Sequence, residues 1–145
     1  GRIFIMKIFL ILFVLLFSSS VFAEWTILMN DVTDHNGITQ DVYYNKSKMQ
    51  KEDNILTLAI LLDFHQQVKG VRSSVIIKSI ECGTTEYSTE RYKLWQLVSY
   101  NQSMGRGKVT FDSGSPKEDT PWRYVGPKKN ILVHIMINFI CDHKR

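Results

Sequence analysis

The chain is short of the residues that staple or punctuate small folds. It has two cysteines, Cys82 and Cys141, and three prolines in 145 residues. Two cysteines exclude a disulfide-dense scaffold and a four-cysteine zinc site. There is no internal repeat and no low-complexity tract. No Pro- or Gly-rich linker is long enough to divide the chain into domains. Catalytic signatures are also lacking. No G-x-S-x-G elbow occurs, and the serines have no histidine at a diagnostic spacing. Gly105-Arg106-Gly107-Lys108 lacks the upstream glycine of a phosphate loop. It reads instead as a turn whose glycines supply positive φ. The four histidines, His35, His65, His134 and His143, form no H-x-x-x-H pair. No metal, cofactor or catalytic residue is expected, and the chain is not expected to be an enzyme.

Long apolar runs are scarce too, apart from one. Lys7 is followed by ten uninterrupted apolar residues, Ile8 to Phe17, then Ser18-Ser19-Ser20 and Val21-Phe22-Ala23. A basic start, an apolar centre and a small-residue exit make a secretory signal peptide, cleaved after Ala23. The run is well short of the ~20 residues of a spanning helix. The predicted organisation is a signal peptide over 1–23 and a single domain over 24–145, with no membrane span after cleavage. The chain carries 18 basic and 14 acidic residues. Loss of Arg2 and Lys7 with the leader brings the net charge from +4 to +2. So small a surplus gives no reason to expect nucleic acid or an anionic membrane as partner.

Export leads to a reading of the cysteines. In an oxidising compartment two cysteines most simply join each other. A Cys82–Cys141 bond closes a loop of about 60 residues, worth up to ~4 kcal/mol on the chain-entropy estimate. The alternative, a metal site built on Cys141 and His143, lacks further ligands at any useful spacing.

What remains alternates with period two between turn signals. Residues 24–30 and 38–45 read as strands around Asn36-Gly37, the strongest hairpin signal in the chain. Residues 46–53 are a polar connection. Residues 54–67 suit a buried central strand, although a helical period fits almost as well. Residues 71–82 and 90–102 read as an antiparallel pair, and 107–113 as a further short strand. Residues 130–141, NILVHIMINFIC, admit strand or helix. Trp25, Trp95 and Trp122 are expected in the core. Tyr92 and Tyr100 lie an even number of residues apart, and on a regular strand would share a face. With Arg91 and Lys93 beside them, they are candidate binding residues on an uncovered sheet face.

Several of these stretches, taken in order, resemble the surface-adhesin protein E-like family of bacterial exported domains. The likeness rests on Trp25 opening the first strand, Tyr43-Tyr44, Cys82 closing a strand, Met104-Gly105-Arg106-Gly107, Pro121-Trp122 and the final Cys141. It spans about residues 24–141. The resemblance implies an α+β fold, an antiparallel sheet of about six strands with a C-terminal helix packed across it, and so a helix over about 129–141. It implies a non-enzymatic adhesin-like binding protein of the bacterial periplasm or cell surface. The partner would be a matrix or envelope protein, or a second copy as a homodimer. A second reading is a periplasmic small-ligand carrier that holds haem through histidines.

Overall fold

A computed structural model describes residues 24–82, 91–124, 137 and 139–141. The expected signal peptide, the connection at 83–90, the start of the terminal helix, His134 and His143 lie outside the described residues. The strands are β1 (Thr26–Thr33), β2 (Thr39–Tyr44), β3 (Gln50–Glu52), β4 (Ile55–Val68), β5 (Val71–Glu81), β6 (Arg91–Tyr100), β7 (Val109–Asp112) and β8 (Arg123–Tyr124). They form one antiparallel sheet in the order β1-β2-β4-β5-β6-β7. Two short strands sit off that path, β3 on β4 and β8 on β6. Among the described residues the sheet therefore has eight strands rather than about six. The extra two are three and two residues long, too short to show an alternation.

The ambiguous run at 54–67 is β4, the central strand. Its period is blurred because both faces are buried. Leu56, Leu58 and Ile60 point one way, and Ala59 and Leu61 the other, each at 0–1% exposure. Turns with left-handed residues bring the chain back at both ends. Asp53 (φ 55) precedes β4, and Lys69 (φ 49) with Gly70 (φ 82) joins it to β5. Two successive left-handed residues match the twist of a two-residue hairpin. The Asn36-Gly37 hairpin is closed by Asp34, whose carboxylate accepts the Asn36 and Ile38 N–H groups at 2.9 and 3.1 Å.

The described residues of the terminal segment are helical, as the family resemblance implied. Ile137, Phe139, Ile140 and Cys141 are helical. Ile137, Ile140 and Cys141 are buried, the i, i+3, i+4 stripe of a helix face. They complete a cluster with Val42, Tyr44, Leu56, Leu58, Ile60 and Ile80. The helix thus lies on one face of β2, β4 and β5. Cys141 is bonded to Cys82, just past the end of β5, with 5.7 Å between their Cα atoms. Asn54 holds Cys82 in place. Its carbonyl accepts the Cys82 N–H at 3.0 Å and its side-chain amide donates to the Cys82 carbonyl at 3.1 Å. Replacing both cysteines by serine should lower unfolding stability by about 2–4 kcal/mol, read by urea denaturation under non-oxidising and oxidising conditions. An unchanged midpoint would remove the bond from the account.

The tryptophans are not in this core. Trp25, Trp95 and Trp122 are each half-buried and absent from the buried cluster. The helix-side face instead contains a lysine. Lys78 opposes Leu58 on β4 and Leu94 on β6, and is 4% exposed. Its ammonium stands 4.7 Å from the centre of the Tyr92 ring. Burial lowers its pKa from 10.5 to about 8. Between those values the unfolded chain holds a proton that the folded chain releases, so stability rises with pH across that window. The gain is on the order of 3 kcal/mol if fully realised. Lys78→Met should stabilise the domain at pH 7 by about 1–3 kcal/mol and flatten its stability between pH 8 and 10. Urea midpoints of the two proteins across that range check it.

Candidate functional site

The face opposite the terminal helix carries the polar chemistry. A β-bulge in β6 decides which residues reach it. Ile77 pairs with Gln96, but Lys78 pairs with Leu94, so Trp95 is the extra residue. The bulge reverses the alternation. Arg91 and Lys93 point to the face opposite the helix before it, and Gln96, Val98 and Tyr100 do so after it. The four predicted binding residues are therefore divided. Tyr92 pairs with Ile80 and packs against the helix-side core. Tyr100 lies on the other face, where burial raises its pKa. The two tyrosines do not share a surface, because an inserted residue breaks the even spacing on which that expectation rested.

Arg91 and Lys93 do come together, on an aromatic partner that spacing did not single out. Trp122, just ahead of β8, has the Arg91 guanidinium 4.6 Å and the Lys93 ammonium 4.8 Å from its ring centre. Lys93 also stands 5.3 Å from the Trp95 ring. The pairing of Arg91 with Tyr124 and of Tyr92 with Arg123 brings this segment to β6. Glu81 grips Arg91 in a bidentate pair, 2.9 Å for each bond. That pairing holds the Glu81 carboxyl below its usual range. Trp95 donates its indole N–H to Ser79 Oγ at 2.7 Å, and Ser79 is bonded in turn to Thr57. Each member of the ladder is half-buried and oriented by a neighbour. Such contacts between a cation and an aromatic ring contribute about 0.5–2 kcal/mol each.

The same face is closed at its other end by the Met-Gly-x-Gly turn. Asp63 accepts the Ser103 hydroxyl at 2.8 Å and the Met104 N–H at 3.1 Å, and pairs with Arg72 at 3.3 Å. Ser73 is fully buried. It donates to the Gln102 carbonyl at 2.6 Å and accepts the Gly105 N–H at 2.8 Å. Met104 takes φ 61, Gly105 φ 68 and Gly107 φ 82, as expected of a glycine turn. A methyl group on Gly107 would meet the Asn101 carboxamide oxygen and lie 2.7 Å from Gln102 Cγ.

Beside this turn, β1, β2 and β4 place two carboxylates and an imidazole together. His65 Nε2 is 3.0 Å from Asp41 Oδ1 and 3.2 Å from Asp31 Oδ1. Asp41 also accepts the Asp31 N–H at 2.9 Å. That bond, and then His65, hold the Asp41 carboxyl below its usual range. Asp41 in turn raises the His65 pKa. Among the described residues this trio is the group that could hold a metal ion. His35, the other described histidine, sits in the first hairpin turn. Sequence spacing hides the trio, since its members come from three strands and meet only through sheet register.

The family described as Surface-adhesin protein E matches residues 25–142, most of the chain. The chain belongs to the surface-adhesin protein E family. Comparison with curated proteins and with solved structures gives no match. Family membership points to an adhesin-like binding role and to an exported or cell-surface protein. Among the described residues no helix is long and apolar enough to cross a membrane.

Asp63→Ala should free the turn, leaving Ser103, Met104 N–H and Arg72 without their acceptor. We expect a loss of about 3 kcal/mol in urea denaturation and faster hydrogen exchange at Met104. Gly107→Ala should cost more than about 1 kcal/mol through its left-handed φ.

Proposed function

We propose that the chain is an exported, non-enzymatic binding domain that offers the sheet face opposite its terminal helix to a protein partner. It works in the periplasm or at the surface of a bacterial cell. The partner is a matrix protein, an envelope protein or a second copy of the chain. Family membership supports the adhesin-like role, and the sequence of residues 1–23 supports export. The observation that carries the choice of face is the ladder of Arg91, Trp122, Lys93 and Trp95. Tryptophan and arginine are the residue types that most often dominate interface energetics. Rings and cations that already hold one another lose little side-chain freedom on binding. The recognition residues are accordingly Arg91 and Lys93 with Trp122 and Trp95. Tyr92 serves the helix-side core, and Tyr100 packs near Gly105.

Binding is measured with the purified protein against immobilised matrix proteins, envelope proteins and the chain itself. Trp122→Ala and Lys93→Ala should each weaken a saturable interaction at least about tenfold, or ~1.4 kcal/mol. Lys46→Ala, an exposed change away from the ladder, should leave it unaltered. Equal affinity in the wild type and in both ladder variants contradicts the assignment of this face.

A further inference from the structure

We propose that Asp31, Asp41 and His65 form a binding site for a divalent transition-metal ion of the zinc type, independent of the protein-binding ladder. The donors sit on three neighbouring strands, β1, β2 and β4, which are tied by the pairing of Val32 with Gln40 and of Gln40 with Phe64. Asp31 stands in the irregular stretch of β1 between Met29 and Val32, and its N–H bond to Asp41 ties it to β2 before any ion arrives. The donor set is one imidazole nitrogen and two carboxylate oxygens, all within 4.8 Å of one another. Imidazole selects zinc, nickel or copper over magnesium and calcium, which prefer oxygen alone.

The distances suit such an ion. Ligands at about 2.0–2.1 Å from a tetrahedral zinc stand about 3.3 Å from each other. His65 Nε2 lies 3.0 and 3.2 Å from its two carboxylate oxygens, so small side-chain rotations complete the cage. The charge is also appropriate. Two carboxylates facing one neutral imidazole leave two negative charges for a dication to balance. The nearby cation, Arg72, is already engaged by Asp63. The Asp31 N–H bond fixes one oxygen of Asp41, which orients that carboxylate as an outer-shell partner would. With Asp31 and His65 both exposed, three protein ligands leave the fourth position open to water or to a side chain of a bound protein. His65 Nε2 already faces both carboxylate oxygens. The ion would sit between these three atoms.

Calorimetric titration of the chelator-treated full chain with zinc chloride, in a buffer without metal-binding groups, tests this. Saturable binding of one ion per chain is expected, with the His65 ring signals shifted in the NMR spectrum. His65→Ala should weaken zinc binding at least about 100-fold while the circular dichroism spectrum stays native. His35→Ala should bind as the wild type does, and excess magnesium should not compete. Undiminished zinc binding by His65→Ala, or no binding with His65 ring signals unmoved at millimolar zinc, overturns the proposal.

Discussion

The covalent tie between Cys82 and Cys141 sets the two faces of the sheet apart. Cys82 follows the last residue of β5, and Cys141 belongs to the buried stripe of the terminal helix. Joining them holds Ile137 and Ile140 over Leu56, Leu58, Ile60 and Ile80. Each of those side chains contributes roughly 1.5–3 kcal/mol when fully withdrawn from water. A domain of this size is marginally stable, at about 5–15 kcal/mol. The bond and the stripe it holds down are therefore a large fraction of what keeps the fold. They also decide that the apolar helix faces one side only, which leaves the opposite side to polar chemistry.

That second side is held by hydrogen bonds more than by a thick core. Ser73 and Ser79 are buried there with partners in hand, and the buried Gln96 donates its amide N–H to Asp112. Asp63 and Ser73 draw the chain after β6 back onto the sheet, so Gly105 reaches Leu61 and Val75. At the other end Glu81 and Ser79 orient Arg91 and Trp95. Both ends are thus built from groups whose alternatives would be buried and unpaired, which is costly in a low-dielectric setting. Rigidity of this kind suits recognition, because a surface already in place gives up less entropy when a partner arrives.

Much of this was legible in the residues, and the exceptions have physical causes. The β5–β6 pair, the Asn36-Gly37 hairpin, the glycine turn and the cysteine pairing follow from alternation, turn chemistry and cysteine count. The run at 54–67 stayed ambiguous because a strand buried on both faces loses its period. Residues 130–141 stayed ambiguous because the same apolar positions serve a strand or a helix, and the family resemblance favoured helix. The tyrosine surface was misjudged because the extra residue at Trp95 reverses the alternation, and nothing local in the sequence marks a bulge. Trp122 was taken for core because a tryptophan's size says nothing about which side of the sheet it lies on. The Asp31–Asp41–His65 group exists only once register is known. The burial of Lys78 comes from its place in the middle of β5.

The claim that one covalent tie maintains the two-faced sheet is open to a direct measurement. Amide hydrogen exchange can be compared in the oxidised chain and in the chain reduced under native conditions. The account predicts that reduction accelerates exchange most at Leu56–Ile60 and Ile76–Ile80, beneath the helix. The amides of Met104 and Gly105, held by Asp63 and Ser73, should change little. Equal protection beneath the helix in both states would contradict it, since the helix would then stay seated without its tether.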